Sequence, residues 1–369
     1  MKIMHVVGAR PNFMKVAPVM REMACHPSLF QQVLVHTGQH YDDNMSKIFF
    51  DELGLPEPDI NLSVGSGTHA WQTAQIMMRL DPLLTEHRPD WVFVPGDVNS
   101  TVASALVCSK TGVRLAHVEA GLRSFDRSMP EEINRLVTDQ LADLLLTPSR
   151  DADENLLREG IAPEKIRFVG NIMIDTLVRL LPKAEQRWGD LRTRYSLSRF
   201  ALVTLHRPSN VDRDETLSEI LDALHEIGRV MPVIFPVHPR TRGRMAAMST
   251  TSEAKFLQLI EPLGYLDFLA LQIHAALVLT DSGGVQEETT YLGIPCLTLR
   301  PNTERPITIT EGTNRLVRSE RTAIVKAAFD ALSAPERCTA PPRLQFWDGR
   351  TAKRIVEAMR DLTVPEHAN

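Results

Sequence analysis

The 369-residue sequence has few cysteines, few aromatic residues and no concentration of charge of one sign. Its four cysteines are widely separated, with no CxxC spacing and no signal-peptide pattern, which predicts a cytoplasmic protein with free thiols. No apolar run approaches the roughly 20 residues that span a bilayer, so no membrane segment is predicted. The net charge of −5 and the lack of any Lys/Arg run argue against a nucleic-acid partner.

Several common catalytic and cofactor motifs are also missing. The sequence has neither a GxGxxG fingerprint nor a Walker motif, which disfavours NAD and ATP and predicts an enzyme without a cofactor. It has no GxSxG elbow and no convincing Cys–His pair, so covalent hydrolysis lacks support. His36 and His40 flank a predicted strand end instead of sharing a helix face, and therefore no metal site is predicted.

What the sequence does contain is an alternation of short apolar runs with helix-length periodic stretches. Continuous apolar strands separated by helices indicate parallel sheets that are covered on both faces. The strands are predicted at about 3–8, 33–38, 91–96, 114–119, 144–149 and 166–171, and then, after an Arg-rich passage near 183–199, at about 200–206, 233–238, 256–261, 276–281 and 295–300.

Because the chain is too long for one ordinary core, we predict two domains. The fold class is α/β, with two doubly wound, Rossmann-like parallel-sheet domains facing a central cleft. The N-terminal domain is predicted over 1–180 and the C-terminal, nucleotide-binding domain over 181–347. A helix within 348–369, at about 348–362, is expected to pack back on the first domain.

The most informative segment is 276–293, which predicts a strand, a turn at 281–284 and a helix. Two glycines in the turn leave backbone N–H groups free at the positive end of a helix dipole, and this arrangement favours phosphate. Glu287 and Glu288 lie one turn further on, where one carboxylate is well placed to bind the two hydroxyls of a ribose. The segment therefore predicts a nucleotide-diphosphate site; the alternative is an ordinary strand–turn–helix with a capping serine.

Three carboxylates lie at or near predicted strand ends. Asp97 follows one strand, and its alternative role is to cap the next helix. Glu119 ends another strand, where burying a carboxylate costs free energy. This indicates either that Glu119 has a functional role or that it is paired with Arg123 or Arg127. Glu131 fits a capping box that begins at Ser128, and this is its alternative role. Three acids at one site suggest proton handling, because like charges and burial raise some of their pKa values.

Basic residues follow other strand ends. Arg10 and Lys15 lie at the start of the first helix, where they could neutralise a diphosphate or simply be solvated. His206 and His238 each follow a strand and have an arginine close behind, which favours anion binding over a purely structural, hydrogen-bonded role. Because parallel strands present their carboxyl ends at one edge, these polar residues are expected to converge.

Together these residues closely resemble the non-hydrolysing UDP-N-acetylglucosamine 2-epimerases of the GT-B superfamily. The resemblance covers nearly the whole chain, and its motifs are GARPNFMKVAPV at 8–19, GDVNST at 96–101, HVEAGLRS at 117–124, PEEINR at 130–135, HRPSN at 206–210, PVHPRT at 236–241, and TDSGGVQEE with NTERP within 280–306. It implies a UDP-sugar substrate held between the domains, no cofactor, a homodimer and a role in supplying precursors for surface polysaccharide.

The resemblance also implies roles for individual residues. The implied UDP-binding set is Arg10, His238, Ser282, Gly283, Gly284, Glu288 and Arg305, with Glu288 as the ribose ligand. The implied catalytic set is Asp97, Glu119, Glu131 and His206, with Lys15 nearby. Such a set suits elimination of UDP to 2-acetamidoglucal and its re-addition, since carbon 2 of the sugar carries no acidic hydrogen. Which acid acts as base stays open.

The sequence departs from the family pattern at several places. Many relatives read GTRPE where this chain has Ala9 and Asn12, and HRRE or HRPEN where it has Pro208 and Ser209. Tyr41 replaces an arginine that many bacterial members carry near an activator site, so we predict no strict dependence on an activator. The alternatives are an epimerase for UDP-2,3-diacetamido-2,3-dideoxyglucuronate, a hydrolysing epimerase, a GT-B glycosyltransferase and a non-catalytic sensor of nucleotide sugars.

Overall fold

The computed structural model describes residues 1–38, 52–247, 256–333 and 342–362. The chain divides into two compact units, of which the first comprises Met1–Val178 with Gln345–Asn369 and the second comprises Arg179–Leu344. Each unit contains one parallel β-sheet with helices between successive strands. The predicted fold class, α/β with two doubly wound parallel sheets, is confirmed.

The first sheet has seven strands in the order β3-β2-β1-β4-β5-β6-β7. Its strands are β1 (Lys2–Val7), β2 (Gln31–His36), β3 (Ile60–Asn61), β4 (Trp91–Pro95), β5 (Arg114–Val118), β6 (Leu144–Thr147) and β7 (Ile166–Phe168). Its helices are α1 (Arg10–Ala24), α2 (His69–His87), α3 (Asn99–Thr111), α4 (Pro130–Leu141), α5 (Arg150–Arg158) and α6 (Ile172–Arg194). Successive strands are added on one side of β1 as far as β3 and on its other side from β4 onward, so the topological switch point lies between β1 and β4. In folds of this kind, ligands bind at the carboxyl ends of the strands at the switch point.

The second sheet has six strands in the order β10-β9-β8-β11-β12-β13. Its strands are β8 (Ala201–Thr204), β9 (Val233–Pro236), β10 (Leu257–Ile260), β11 (Leu277–Thr280), β12 (Cys296–Leu299) and β13 (Asn314–Val317). Its helices are α7 (Pro208–Val211), α8 (Asp214–Gly228), α9 (Pro239–Ala247), α10 (Tyr265–His274), α11 (Gly283–Leu292), α12 (Ile307–Thr310) and α13 (Arg321–Ser333). The corresponding switch point lies between β8 and β11.

Strand composition explains why these sheets lie in the core. All five residues of β4 and all four residues of β6, β11 and β12 are buried, as expected for strands covered by helices on both faces. The edge strands β3 and β13 were not predicted from the sequence. The first has two residues and the second begins with Asn314 and Arg315, so neither forms the apolar run that identifies a central strand.

The last helix, α14 (Thr351–Asp361), packs against α1 within the first unit. Asp175, in the first turn of α6, accepts hydrogen bonds from the backbone N–H groups of Thr351 at 3.0 Å and Ala352 at 2.7 Å. A side chain distant in sequence therefore accepts hydrogen bonds from N–H groups at the N-terminus of α14 that have no partner within the helix. Burial raises the pKa of Asp175 to about 6 despite these hydrogen bonds.

We expect Asp175→Ala to lower the free energy of unfolding by about 1–2 kcal/mol, because two buried N–H groups lose their acceptor. Urea denaturation measures the loss, and hydrogen exchange at Thr351 and Ala352 localises it. Glu357→Ala, at an exposed position on the same helix, is the control and should change stability by less than about 0.5 kcal/mol. Unchanged exchange at both amides in the Asp175 variant would contradict the capping role.

Candidate active site

Glu119 follows β5 and carries a strained backbone. Its φ of 73° lies in the left-handed region, which costs a non-glycine residue about 1–3 kcal/mol. Its carboxylate Oε2 forms an ion pair with Lys15 Nζ, and only 3% and 8% of the two side chains are exposed. The predicted pairing of Glu119 with Arg123 or Arg127 is therefore wrong, because the partner is a lysine of α1.

The end of β4 approaches this pair closely. Gly96 has a φ of 70°, and a Cβ built there would lie 2.9 Å from Lys15 Nζ and 3.6 Å from Glu119 Oε2. Asn12 joins the neighbouring strands: its Oδ1 accepts from the backbone N–H of Gly8 at 3.1 Å, and its Nδ2 donates to the carbonyl of Pro95 at 2.8 Å. Asn12 thus has a structural role that its sequence motif alone does not indicate.

Asp97 does not cap a helix. The N-cap of α3 is Val98, without a side-chain hydrogen bond, and the Asp97 carboxylate instead forms an ion pair with Arg135 Nη1. The Arg135 side chain is buried, and its Nη2 lies 2.6 Å from Glu132 Oε2. The carboxylate of Asp97 is 28% exposed, which leaves it accessible to a ligand on one side.

Glu132 anchors the loop that follows β5. Its carboxylate accepts from the backbone N–H groups of Ser124 at 2.9 Å and Phe125 at 3.0 Å. Burial alone would raise the pKa of Glu132, but the hydrogen bonds from Ser124 and the Arg135 guanidinium hold it below its usual value. Glu132 and Arg135 were missed as site-forming residues, although both lie in the PEEINR motif.

Glu131 begins α4 without acting in a capping box. The N-cap is Met129, which forms no side-chain cap, and the hydroxyl of Ser128 donates to Asp126 Oδ1 at 2.6 Å. The capping interpretation of Glu131 is therefore wrong. The half-buried carboxylate of Glu131 forms no hydrogen bond or ion pair with any residue that the structure describes.

The three acids thus have different surroundings, and two of them face a cation rather than one another. A buried network supports the strand ends that carry them. His117 Nε2 lies 2.7 Å from the carbonyl oxygen of Gly96, and its Nδ1 lies 2.6 Å from Asp139 Oδ1. Asp139 also binds Arg123 at 2.7 Å. Burial would raise the pKa of Asp139, but His117 and Arg123 hold it below its usual value.

In the second unit, the turn at 282–284 has the form predicted for a phosphate site. Helix α11 begins at Gly283, and Ser282 provides no side-chain cap, so the capping-serine alternative is wrong. The N–H of Ser282 donates to Thr280 Oγ1 at 3.0 Å. Gly283 and Gly284 are half-buried residues, and their N–H groups have no hydrogen-bond partner in the described parts of the chain, so they can donate to an anion.

Arg305 lies beside this turn, within a buried cluster of charges. Its Nε is 2.8 Å from Glu287 Oε1, and its Nη1 is 2.6 Å from Glu304 Oε1. Glu304 Oε2 in turn lies 2.7 Å from Arg300 Nη2. Glu287 therefore binds an arginine next to the turn, which explains a carboxylate that is unexpected at an anion site.

Glu288, the predicted ribose ligand, is buried beside Tyr265. The Tyr265 hydroxyl donates to Glu288 Oε1 at 2.7 Å. Burial raises the pKa of Glu288 to about 7, and the hydrogen bond from Tyr265 only partly opposes this rise. Glu288 therefore changes its protonation state near neutral pH.

We expect Glu288→Gln to remove a pH dependence of stability. Since the pKa of Glu288 is higher in the folded protein than its usual 4.5, the folded state binds more protons between about pH 4.5 and 7, and the free energy of unfolding falls as pH rises through this window. The neutral variant lacks this fall. The difference in the free energy of unfolding, variant minus original protein, should therefore increase from pH 5 to pH 8 when it is measured by urea titration. Glu261→Gln, at an exposed position, is the control. Parallel curves for the Glu288 variant and the original protein would refute the expectation.

The remaining candidates are two histidines and an arginine. His206 Nδ1 lies 2.8 Å from Asp281 Oδ1, and 61% of the His206 side chain is exposed. His238 is exposed two residues after the end of β9. The side chain of Arg10, and residues 39–51 with His40 and Tyr41, lie outside the described part of the chain. Within the described ranges, no group of three His, Cys, Asp or Glu side chains is arranged to hold a metal ion.

Comparison with known proteins gives this geometry a context. The family model for UDP-N-acetylglucosamine 2-epimerase matches residues 22–360. The chain belongs to the UDP-N-acetylglucosamine 2-epimerase family. It is 42% identical, over 97% of this chain and 99% of the relative, to the UDP-N-acetylglucosamine 2-epimerase of Methanocaldococcus jannaschii. It is 41% identical, over 98% of this chain and 100% of the relative, to the UDP-2,3-diacetamido-2,3-dideoxy-D-glucuronate 2-epimerase of Pseudomonas aeruginosa.

A solved structure of an epimerase from Methanocaldococcus jannaschii, in complex with UDP-GlcNAc and UDP, has a TM-score of 0.87 to this chain. It is 41% identical, and the match covers 98% of this chain and 100% of that one. The predicted resemblance to the epimerase family is thus confirmed, together with its fold. In this epimerase-family chain, no helix within the described ranges has the length and apolar character needed to cross a membrane.

Proposed function

We propose that the chain is an isomerase that interconverts UDP-N-acetylglucosamine and UDP-N-acetylmannosamine by inverting carbon 2. The observation that carries the proposal is the set of acids at and after the ends of β4 and β5: Glu119 paired with Lys15, Asp97 paired with Arg135, and Glu131 without a partner among the described residues. A glycosyltransferase has no evident use for three such carboxylates, whereas inversion at carbon 2 needs two proton-transfer groups.

The proposed reaction starts with elimination. The bond between carbon 1 and the diphosphate oxygen breaks, UDP leaves with the electron pair, and a carboxylate takes the proton from carbon 2, which leaves neutral 2-acetamidoglucal. A second group then delivers a proton to the other face of carbon 2 as UDP adds back to carbon 1. Asp97, Glu119 and Glu131, with Lys15, are the proposed proton-transfer set.

The second unit supplies most of the proposed UDP-binding groups. The N–H groups of Gly283 and Gly284 suit the negative charge that develops on the departing diphosphate, next to Ser282 and with Arg305 alongside. Glu288 is proposed to bind the ribose hydroxyls, and Arg10 and His238 to lie on the phosphate side. His206 is proposed to take part in proton transfer. Mutational effects should divide accordingly: changes to the proton-transfer groups should lower kcat, and changes to the UDP-binding groups should weaken the affinity for UDP.

A second candidate substrate has specific support. The 41% identity to the Pseudomonas aeruginosa enzyme nearly equals the 42% identity to the Methanocaldococcus jannaschii enzyme. UDP-2,3-diacetamido-2,3-dideoxyglucuronate is therefore the alternative, and it would undergo the same reaction at carbon 2. We also propose that the protein is a cytoplasmic homodimer that needs no activator, and light scattering of the purified protein tests its oligomeric state.

The deciding experiment is proton NMR of the purified protein with UDP-N-acetylglucosamine alone in deuterium oxide. The proposal predicts the appearance of UDP-N-acetylmannosamine, with deuterium at carbon 2 of both sugars. Free N-acetylmannosamine and UDP would instead indicate the hydrolysing reaction. An unchanged spectrum would refute the proposal for this substrate, and the same experiment with the diacetamido sugar would test the alternative.

A further inference from the structure

One buried carboxylate in the second unit joins two loops that are distant in sequence. Asp281 follows β11, and its side chain is fully buried. It accepts hydrogen bonds from the backbone N–H groups of His206 at 3.1 Å and Arg207 at 2.9 Å, and from Asn210 Nδ2 at 3.1 Å. Its Oδ1 also lies 2.8 Å from the ring nitrogen Nδ1 of His206. The loop after β8 is therefore organised around this one side chain.

These donors determine the charge of Asp281. Burial alone would raise its pKa, but the contacts with His206, Arg207 and Asn210 hold the pKa below its usual value, so the carboxylate is ionised. An ionised carboxylate can only accept hydrogen bonds, and the nitrogen facing it must therefore carry a proton. The His206 ring is consequently protonated at Nδ1 whether it is neutral or charged.

The other ring nitrogen is left available. His206 Nε2 forms no hydrogen bond with the residues that the structure describes, and 61% of the side chain is exposed. Asp281 also precedes the turn at 282–284 directly, and its carbonyl oxygen accepts from Arg207 Nε at 3.1 Å. The histidine and the turn with free backbone N–H groups thus depend on the same residue for their position.

We infer that Asp281 is a positioning residue that fixes His206 with Nδ1 protonated, so that proton exchange with the substrate takes place at Nε2. When His206 acts as an acid, the ring starts as the imidazolium, its Nε2–H bond breaks and the oxygen of the departing diphosphate takes the proton; when UDP adds back to carbon 1, the neutral Nε2 receives that proton again. The inference rests on the proposed function for its link to catalysis, but the position of the proton is a property of the protein without substrate.

Asp281→Asn tests the inference with almost no change of shape. The amide oxygen can still accept from Arg207 and Asn210, but the NH₂ group then faces His206 Nδ1, which must accept, so the ring proton moves to Nε2. Two-bond ¹H–¹⁵N NMR of the full chain labelled at histidine reports the tautomer, and the signals of His206 are identified by their loss in His206→Asn. We expect Nδ1–H in the original protein and Nε2–H in the variant, with kcat lowered roughly 10²–10⁴-fold and the Kd for UDP changed by less than about threefold.

Asn210→Ala is the matched control, because it removes a donor to Asp281 Oδ2 and leaves the contact with His206 Nδ1. It should lower Tm but keep the Nδ1–H tautomer and most of kcat. An Nε2–H tautomer in the original protein overturns the inference even if Asp281→Asn fails to fold. The inference is also overturned if Asp281→Asn has the Nε2–H tautomer but its kcat is no lower than that of Asn210→Ala. Absence of turnover by the original protein would refute the proposed function, while the tautomer would still test the role of Asp281.

Discussion

Replacing Glu119 by glutamine is expected to lower kcat for UDP-N-acetylglucosamine by roughly 10²–10⁴-fold while leaving the affinity for UDP almost unchanged. Glutamine has nearly the same size as glutamate but cannot take or deliver a proton. The proposed UDP-binding groups of the second unit are untouched by the change. An effect confined to kcat would therefore identify Glu119 as part of the proton-transfer set.

The ion pair between Glu119 and Lys15 complicates this experiment in a predictable way. Both side chains are buried, and removal of one partner leaves the other charge uncompensated at a cost of about 3–5 kcal/mol. The double variant Glu119→Gln with Lys15→Met removes both charges, and it should regain much of the stability that the single variant loses. Its activity should stay low because both residues belong to the proposed proton-transfer set, and recovered stability without recovered turnover would mean that lost stability does not explain the low kcat.

The control for Glu119→Gln is Glu159→Gln. Glu159 also pairs with a buried cation of the first unit, Arg123 at 2.6 Å, but it lies outside the proposed catalytic set. Turnover is measured by deuterium incorporation at carbon 2, and UDP affinity by calorimetry. A Glu119 variant within tenfold of the original kcat, or a Glu159 variant with the larger loss, would remove Glu119 from the proposed mechanism.

The fold could be predicted from the sequence because its signals are local. Residues 91–95 and 144–146 are continuous apolar runs flanked by helices, and such runs identify buried parallel strands without knowledge of their neighbours. The edge strands carry no such signal. Ile60–Asn61 gains its strand character only by pairing with β2, and a pairing of this kind is a tertiary contact that composition does not encode.

The residue types of the candidate site could also be predicted, but their partners could not. Asp97 suggested a helix cap because capping is a contact between near neighbours, whereas its partner Arg135 lies 38 residues away. Lys15 and Glu119 are 104 residues apart and meet only because β1, β4 and β5 are adjacent in the sheet. The partner of Glu287 is Arg305, which follows β12 and is not a near neighbour in sequence. Sequence patterns therefore indicated which groups gather, and the fold decided how their charges are paired.

Gly283→Ala is expected to raise the Kd for UDP by roughly 10–100-fold, the largest effect that we predict for a change of one methyl group. A Cβ built at Gly283 would lie 2.8 Å from Arg305 Cζ and 2.9 Å from Glu304 Oε1, closer than van der Waals contact allows. Arg305 and Glu304 cannot simply move aside, because both side chains are buried and form an ion pair with each other. In addition, Arg305 pairs with Glu287, and Glu304 pairs with Arg300. Charged hydrogen bonds of this kind contribute about 1.5–3 kcal/mol each, so their loss accounts for a change in affinity of this size.

Gly243→Ala provides the matched control for this prediction. It introduces the same methyl group into α9 of the same unit, where a built Cβ meets no atom of the described residues within 4 Å apart from the backbone of its own helix. It should leave the Kd for UDP unchanged and increase stability by about 0.5–1 kcal/mol, since alanine favours a helix over glycine. Calorimetric titration of both variants with UDP makes the comparison. Equal affinities would mean that the turn tolerates a side chain, and the diphosphate would then have to bind elsewhere than at the N–H groups of Gly283 and Gly284.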